Sequence, residues 1–305
     1  MNILITGGAG YIGTELAHRL TERDDINHVT IYDNLARQNH NIFLEDRFNP
    51  DKISFVHGDI LDGRKLRKTL KGIDVMYHLA AKVTTPYADQ ELHLYEQVNH
   101  WGTTELVQRI RESGVSRVIF LSSAAVYGLG DQAFDEKAST NPANHYGITK
   151  YRAEKEIELL SNDIKTNIIR SANVYGYSRS MRFDSVINRF MFDAHFTNRI
   201  TVYGSGRQER PFISISHLAE MLTDMLFDDE FPSLINAVAF NRSLNEIIYE
   251  YLKVLYPNLE VLYVNQDMPV RSVNLKSAYD MPGYEAERHA DLMASLTSFK
   301  QKFSF

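Results

Sequence analysis

The feature that most constrains the fold of this chain is a glycine-rich turn directly after its first apolar run. The run Asn2–Thr6 leads into Gly-Gly-Ala-Gly-Tyr-Ile-Gly, and an amphipathic stretch follows. Glycine at the first, fourth and seventh positions of this turn permits a tight bend, a close approach of backbone to a pyrophosphate, and close packing of helix on strand. A helix N-terminus adds N–H donors and a favourable dipole for an anion. The turn therefore predicts a dinucleotide-binding unit, whose expected contacts are Gly7, Gly10, Tyr11, Ile12 and Gly13.

The first half of the chain alternates short apolar runs with helix-period segments. The runs predicted as strands are 2–6, 28–32, 53–57, 75–79, 118–122, 168–170 and 234–238. The amphipathic segments between them include 12–23, 64–70, 103–113 and 150–160. Strands that alternate with helices indicate parallel pairing through right-handed crossovers. We therefore predict an α/β fold, with a Rossmann-type doubly wound parallel sheet and a smaller C-terminal substrate-binding lobe.

The regular alternation of the two patterns ends after about residue 175. Segment 179–189 is the first of two that carry many Arg, Ser and Gly residues. We predict a dinucleotide-binding Rossmann domain over 1–175 and the smaller substrate-binding lobe over 176–305. Because the chain can return to the first lobe later on, we expect part of 213–240 to join the Rossmann domain, which makes the boundary discontinuous.

Composition excludes several classes of function. The chain has 305 residues and a net charge of −6, and no long basic run supports nucleic-acid binding. Cysteine is absent, which excludes disulfides, thiolate metal sites and cysteine nucleophiles, and we expect no metal. The N-terminus looks like a strand and not a signal peptide, and no apolar run approaches membrane-spanning length. We expect a cytoplasmic protein that binds neither nucleic acid nor membrane.

An acidic residue near the end of the second predicted strand bears on the cofactor. Asp33 follows Gly13 by twenty residues, where a carboxylate accepts bonds from the adenosine ribose and repels a 2′-phosphate. Arg37 lies close enough to accommodate such a phosphate, so we predict NAD and keep NADP as the alternative. Further cofactor candidates follow the second, third and fourth predicted strands: Asn34, Asp59, Ile60, Leu79, Ala80 and Ala81. Simple packing is the alternative reading of the third-strand and fourth-strand groups.

A tyrosine and a lysine downstream suggest the chemistry. Tyr146 and Lys150 are four residues apart, so they share one face if the segment is helical. A phenol with a pKa of about 10 is a poor base at neutral pH, but a nearby ammonium and a nicotinamide cation favour the phenolate. The lysine can also bond the nicotinamide ribose, and the hydroxyl of Ser123 can hold a substrate oxygen. We therefore predict that these three residues catalyse hydride transfer, and a solvated Tyr–Lys pair is the alternative.

With these residues in hand, the chain resembles the extended short-chain dehydrogenases/reductases of the nucleotide-sugar epimerase/dehydratase branch. The matching segments follow one another along the chain: 6–13, 33–34, 58–60, 78–81, 99–103, 122–128, 146–150, 170–176 and 204–212. The resemblance implies that Tyr146 is the acid/base, that Lys150 tunes it, and that Ser123 orients the sugar oxygen. It also implies Asn99 near the cofactor, the substrate diphosphate at Asn173, Arg210 and Arg271, and a homodimer formed through segments 103–113 and 150–160.

The residues after the serine narrow the reaction that the resemblance implies. Dehydratases of the family carry Asp-Glu directly after the active-site Ser or Thr, whereas Ala124 and Ala125 stand here and offer no proton-transfer group. We therefore predict an NAD-dependent nucleotide-sugar 4-epimerase that transiently oxidises the C4 hydroxyl, with Tyr146 as acid/base. An NAD(P)-dependent keto-sugar reductase of the same family uses the same residues and is the main alternative. A non-catalytic dinucleotide-sensing protein of the same fold is the third hypothesis.

Overall fold

The computed structural model describes residues 1–83, 91–130, 132–265, 267, 272–279 and 289–304. Its strands are β1 (Asn2–Thr6), β2 (His28–Asp33), β3 (Ile53–His57), β4 (Val75–His78), β5 (Arg117–Ser123), β6 (Ala133–Phe134), β7 (Lys165–Ser171), β8 (Asn173–Tyr175), β9 (Arg199–Tyr203), β10 (Glu209–Ser214), β11 (Leu234–Ala237), β12 (Phe240–Ser243), β13 (Glu260–Val264) and β14 (Asn274–Leu275). Its α-helices are α1 (Tyr11–Thr21), α2 (Gly63–Thr69), α3 (Leu92–Tyr95), α4 (Gly102–Arg111), α5 (His145–Glu158), α6 (Val186–Thr197), α7 (Ile215–Asp224), α8 (Leu244–Glu246), α9 (Lys253–Leu255) and α10 (His289–Lys300). Two π-helical turns, Glu96–Trp101 and Ile247–Leu252, precede α4 and α9.

Seven strands form a parallel central sheet in the order β3-β2-β1-β4-β5-β7-β11. The chain first adds strands on one side of β1 and then on the other, which is the winding of a Rossmann sheet. Ile5 of β1 lies between Ile31 of β2 and Tyr77 of β4. A central strand covered on both faces must be apolar throughout, which explains the uninterrupted first run of the sequence. The predicted doubly wound α/β fold is confirmed.

The two faces of the sheet bury two separate cores. Ile3 and Ile5 of β1 point into one core and Leu4 into the other, as the alternation of a strand requires. The first core is closed by α1 and α7, which contribute Leu16, Leu20, Leu218 and Leu222. The second is closed by α2, α4 and α5, which contribute Leu66, Leu106, Ile110 and Ile157. Helices on both faces therefore hold the carboxyl edge of the sheet rigidly.

A further core lies beside this edge and is built mainly from later parts of the chain. Strands β12, β10 and β8 form a small sheet, and β9 pairs with β13. The cluster that covers them draws on α6, the second π-helical turn and α10, through Phe190, Met191, Ile247, Ile248 and Leu296. Between β10 and β12 the chain returns to the central sheet, because α7 packs on α1 and β11 pairs with β7. The division into domains at residue 175 stays a prediction.

Several local features depart from the predicted elements. The predicted helix 150–160 begins earlier, at His145, and the predicted helix 103–113 is preceded by the π-helical turn Glu96–Trp101. Strands β8 and β12 were not predicted, because they have only three and four residues. Strand β10 was not predicted either, because its six residues show no strict alternation. Across the described ranges, no helix has both the length and the apolar character needed to cross a bilayer.

Candidate active site

A cleft of about 720 Å³ runs along the carboxyl edge of the central sheet. Ligands of open α/β sheets bind at this edge. The predicted site residues that line the cleft are Gly7, Gly10, Tyr11, Ile12, Gly13, Asp33, Asn34, Asp59, Ile60, Leu79, Ala80, Ala81, Ser123, Tyr146, Lys150, Asn173 and Arg210. Of the other two, Asn99 is buried and does not line the cleft, and Arg271 lies outside the described residues.

The glycine turn brings β1 unusually close to the segment that follows β4. Gly7 has a φ of 71°, and a Cβ at this position would lie 2.6 Å from the backbone nitrogen of Ala80. A Cβ on Gly13 would lie 2.6 Å from the carbonyl oxygen of Gly7. Gly10 is the N-cap of α1 and offers no side chain to cap it. This helix N-terminus, bare of side-chain caps and open to the cleft, fits a dinucleotide pyrophosphate.

Asp33 both lines the cleft and braces the glycine turn. Its Oδ2 accepts a hydrogen bond from the Ala9 N–H at 3.1 Å, and its Oδ1 accepts one from the Leu35 N–H at 2.8 Å. Burial raises the pKa of Asp33, and the two backbone bonds oppose that rise. Next to it, Asn34 Nδ2 donates to Asp59 Oδ2 at 2.8 Å and joins the ends of β2 and β3. The predicted adenosine-binding residues are thus brought together.

Asn99 is hydrogen-bonded to Lys82, one of the residues that line the cleft. Its Oδ1 accepts a hydrogen bond from the Lys82 N–H at 2.8 Å, and its Nδ2 donates to the Lys82 carbonyl at 3.1 Å. The same Nδ2 donates to Thr149 Oγ1 at 3.1 Å. Because Thr149 lies between Tyr146 and Lys150, Asn99 fastens the segment after β4 to the helix that carries both residues.

The start of α5 explains how Tyr146 and Lys150 come to share a face. The Asn144 side chain accepts a hydrogen bond from the Gly147 N–H at 2.8 Å, so the helix is capped one turn before the predicted start. Tyr146 and Lys150 then follow one turn apart and are only 6% and 2% exposed. A buried pair of this kind rules out the alternative of an ordinary solvated Tyr–Lys pair.

The hydroxyl of Ser123 lies close enough to the phenol of Tyr146 to act on its pKa, and Ser123 Oγ accepts a hydrogen bond from the Ala125 N–H at 3.2 Å. Burial raises the pKa of Tyr146 above its usual value. The Ser123 hydroxyl and the positive charge of Arg182 act in the opposite direction. The structure therefore places Ser123 and Tyr146 side by side, as the sequence predicts.

The amino group of Lys150 is buried in a largely apolar setting near the end of β5. Its Nζ donates to the Leu121 carbonyl at 2.6 Å and lies 4.1 Å from the centre of the Phe120 ring. Burial lowers the pKa of Lys150 to about 7, although the charge of Glu154 acts to raise it. Lys150 is not among the groups that act on the pKa of Tyr146, for which burial is the largest influence.

Segment 176–185, which joins β8 to α6, crosses the cleft near the glycine turn. The Tyr11 hydroxyl donates to the Gly176 carbonyl at 2.6 Å, and Thr14 Oγ1 donates to Ser180 Oγ at 2.9 Å. Both donors lie on α1, so the segment is tied to the helix whose N-terminus faces the cleft.

Two residues of this segment, Arg182 and Asp184, line the cleft and were not predicted. Arg182 Nη2 donates to the Val83 carbonyl at 3.1 Å, and its Nε donates to Asp184 Oδ1 at 3.0 Å. The same carboxylate oxygen accepts from Arg37 Nη2 at 3.2 Å. Arg37, the residue on which the NADP alternative rests, is thus paired with an acid. The sequence signal for this site was the Arg and Ser residues of segment 179–189, after the break in alternation.

The predicted substrate residues lie opposite, on adjacent strands of the small sheet. Asn173 on β8 is exposed, and its Nδ2 donates to the Pro211 carbonyl at 3.0 Å. Arg210 on β10 is partly buried, its Nη1 donates to the Glu209 carbonyl at 2.8 Å, and burial lowers its pKa. Across the described part of the chain, no group of three His, Asp or Glu side chains is arranged to hold a metal ion.

Comparison with known proteins agrees with this geometry. The sequence model of the NAD dependent epimerase/dehydratase family matches residues 3–236. The chain belongs to this family. It is 31% identical over 224 residues to a putative UDP-glucose 4-epimerase of Methanocaldococcus jannaschii, covering 72% of this chain and 71% of that protein. It is 29% identical over 259 residues to a dTDP-D-glucose 4,6-dehydratase of Mus musculus, covering 83% and 72%.

A solved structure extends the likeness over nearly the whole chain. MoeE5 in complex with UDP-glucuronic acid and NAD has a TM-score of 0.83 and 25% sequence identity, over 99% of this chain and 98% of that one. Membership of the NAD-dependent epimerase/dehydratase family confirms the predicted enzyme class, and NAD is the cofactor of that family. The relatives are named as epimerases and as dehydratases, so membership alone leaves the reaction open.

Proposed function

We propose that this member of the family is an NAD-dependent nucleotide-sugar 4-epimerase. The observation that carries the proposal is the position of the carboxylates in the cleft. Among its described lining residues these are Asp33, Asp59 and Asp184. The first two lie at the ends of β2 and β3, and the third is bonded to two arginines. Ala125, which faces the cleft beside Ser123, has no proton to exchange. Elimination across C5 and C6 therefore lacks a carboxylic acid and base of its own among the described lining residues, whereas epimerisation at C4 needs only Tyr146 as its acid/base.

The chain supplies the proton transfer at C4. NAD held in the cleft would supply reversible hydride transfer at C4. The phenolate of Tyr146 accepts the proton of the C4 hydroxyl and later gives it back to the same oxygen. Ser123 donates a hydrogen bond to that phenolate and orients the sugar oxygen. Because burial raises the pKa of Tyr146, this bond and the charge of Arg182 are what favour the ionised phenol.

We further propose which residues hold the two ligands. The turn from Gly7 to Gly13 binds the pyrophosphate of NAD, Asp33 and Asn34 the adenosine ribose, and Lys150 the nicotinamide ribose. Asp59 and Ile60 contact adenine, and Leu79, Ala80 and Ala81 pass beneath the cofactor. Asn173 and Arg210 bind the diphosphate of the nucleotide sugar, for which a guanidinium fork is well suited. Arg271 is proposed for the same task on the resemblance alone.

The proposed assembly is a homodimer through α4 and α5, in the cytoplasm. Trp101, directly before α4, and Leu159, directly after α5, are 57% and 53% exposed, which is consistent with an apolar contact there. Sedimentation of the purified protein should give twice the chain mass. Replacing Trp101 by Glu should shift it toward the monomer.

The reaction is tested by incubating the purified protein and NAD with a panel of UDP- and dTDP-hexoses in heavy water. We expect 4-epimers to interconvert, with no net change in NAD and no deuterium at C5 of the recovered sugar. Deuterium at C5, or a stable 4-keto-6-deoxy product, would show elimination chemistry and overturn the proposal. Stoichiometric oxidation of added NADPH would instead identify a keto-sugar reductase.

A further inference from the structure

The buried face of α5 carries a third polar residue one turn beyond the catalytic pair. Tyr146, Lys150 and Glu154 recur at intervals of four, and Glu154 is completely buried. All three meet the last residues of β5: Tyr146 lies beside Ser123, Lys150 donates a hydrogen bond to the Leu121 carbonyl, and Ser122 donates one to the Glu154 carboxylate. One helix face is therefore joined to one strand end at three successive turns.

The carboxylate of Glu154 is fixed from its other side by an arginine. Arg170 on β7 donates to it through Nε at 3.0 Å and through Nη2 at 2.8 Å. The remaining Nη1 of Arg170 donates to the Tyr127 hydroxyl at 3.0 Å, and that hydroxyl donates to Asn236 Oδ1 at 2.7 Å. A forked, fully bonded pair of this kind leaves a buried carboxylate little freedom to move.

We propose that Glu154 is a positioning residue for the reaction: its fixed carboxylate provides the negative charge that Lys150 needs to remain an ammonium, and it keeps α5 in register with the end of β5. The inference rests on the proposed function in assigning Lys150 to catalysis. It goes beyond that function because it assigns control of the protonation state of Lys150 to Glu154, a residue that is proposed to touch neither NAD nor the nucleotide sugar.

The other groups near Lys150 cannot replace this charge. His78 on β4 is buried between Thr6 and Thr103, and burial together with the charge of Lys150 lowers its pKa to about 3. It is therefore neutral when the enzyme works. Tyr146 is protonated in the resting protein because burial raises its pKa. The negative charge that acts on Lys150 is that of Glu154, and it opposes the burial that brings the pKa of the lysine to about 7.

The test removes the charge of Glu154 and keeps the size of its side chain. Glu154→Gln keeps an acceptor for Ser122 and removes the charge. Glu158→Gln is the matched control, because Glu158 lies one turn further along the same helix, is exposed and pairs with Lys155 at 2.8 Å. In protein with 13C- and 15N-labelled lysine, the Lys150 side-chain resonance is assigned by its loss in Lys150→Arg and followed against pH. This readout does not depend on turnover.

We expect the Lys150 titration midpoint to fall by about one pH unit or more in Glu154→Gln and to stay unchanged in Glu158→Gln. With an active substrate, the loss of kcat as pH rises should move down by the same amount, while KM changes little. An unchanged midpoint overturns the inference, whatever the activity. If the midpoint falls but the wild-type protein converts no nucleotide sugar, the proposed function fails and the tuning of Lys150 by Glu154 stands.

Glu154→Gln leaves Arg170 buried without its partner, so this variant can fail to fold. The double variant Glu154→Gln/Arg170→Gln removes both charges and avoids that problem. If Glu154 serves only to neutralise Arg170, the double variant should keep the wild-type titration midpoint of Lys150. That result would overturn the inference. A lowered midpoint in the double variant supports it.

Discussion

The two sides of the cleft are built differently. On the catalytic side, Tyr146 and Lys150 lie on a regular helix, and Ser123 ends a central strand. Tyr146 and Lys150 are almost fully buried. On the opposite side, Asn173 and Arg182 sit on a very short strand and in a loop, and both keep part of their surface exposed. The residues proposed for catalysis are thus held by the same packing that stabilises the fold, whereas the residues on the opposite side can change without disturbing a core.

The electrostatics of the two sides differ for the same reason. Burial is the largest cause of the pKa shifts of Tyr146 and Lys150. Across the cleft, the charge of Asp184 is balanced locally by Arg37 and Arg182. Substitutions on the catalytic side should therefore act on kcat, and substitutions on the opposite side should act on KM or on the choice of ligand.

The largest effect is expected for Tyr146→Phe. It removes the proton-transfer group and leaves the ring that packs edge-on against Tyr95. Turnover should fall by about 100-fold or more, because a positioned acid/base contributes on that scale. Thermal unfolding and NAD titration by calorimetry serve as controls and should change little. Near-normal turnover in this variant would remove the distinction between the two sides.

A smaller effect, confined to substrate binding, is expected for Arg210→Ala. Loss of a charge-assisted bond to the diphosphate should raise KM by about 10- to 100-fold and leave kcat within a few-fold. Arg207→Ala is the matched control, because Arg207 lies three residues earlier, is exposed and does not line the cleft. Steady-state kinetics with one nucleotide sugar measure kcat and KM for both variants. A fall in kcat at unchanged KM would show that Arg210 belongs to the catalytic side.

Features with local sequence signals could be predicted, and features that depend on distant contacts could not. The glycine turn and the central strands were predictable, because their signals lie within a few neighbouring residues. The burial of Tyr146, which raises its pKa, was not predictable, since burial depends on the whole fold. Arg182 and Asp184 were missed because their contacts reach Val83 and Arg37, about a hundred or more residues away along the chain.

The earlier start of α5 and the π-helical turn Glu96–Trp101 show a second kind of limit. Asn144 is a good N-cap, a local signal that the prediction of a helix from residue 150 did not use. The π-helical turn precedes α4 in a segment without a local signature. It contains Asn99, so this irregular turn of helix positions the residue that joins the segment after β4 to α5.

At the adenosine end, Asp33→Ala should weaken NAD binding by about 10-fold and improve NADP relative to NAD. The change removes both a ribose acceptor and a charge that repels a 2′-phosphate. Asp33→Asn separates the two contributions, because it keeps an oxygen for the Ala9 or Leu35 N–H and loses only the charge. Calorimetric titration with both cofactors measures the preference. Equal weakening of NAD and NADP would mean that Asp33 only braces the turn.

The smallest effect is expected where the two sides meet, at the contact between Arg37 and Asp184. The Arg37 side chain is 44% exposed, and an exposed ion pair contributes little, so Asp184→Asn should improve NADP relative to NAD by about five-fold at most. The physical reason is that Arg37, no longer neutralised, becomes available to a 2′-phosphate. Adding Arg37→Gln should abolish the gain, and raising the salt concentration should reduce it. The same titrations measure it. A gain that persists without Arg37 would place the cause in Arg182, the other partner of Asp184, and would tie cofactor choice to the substrate side of the cleft.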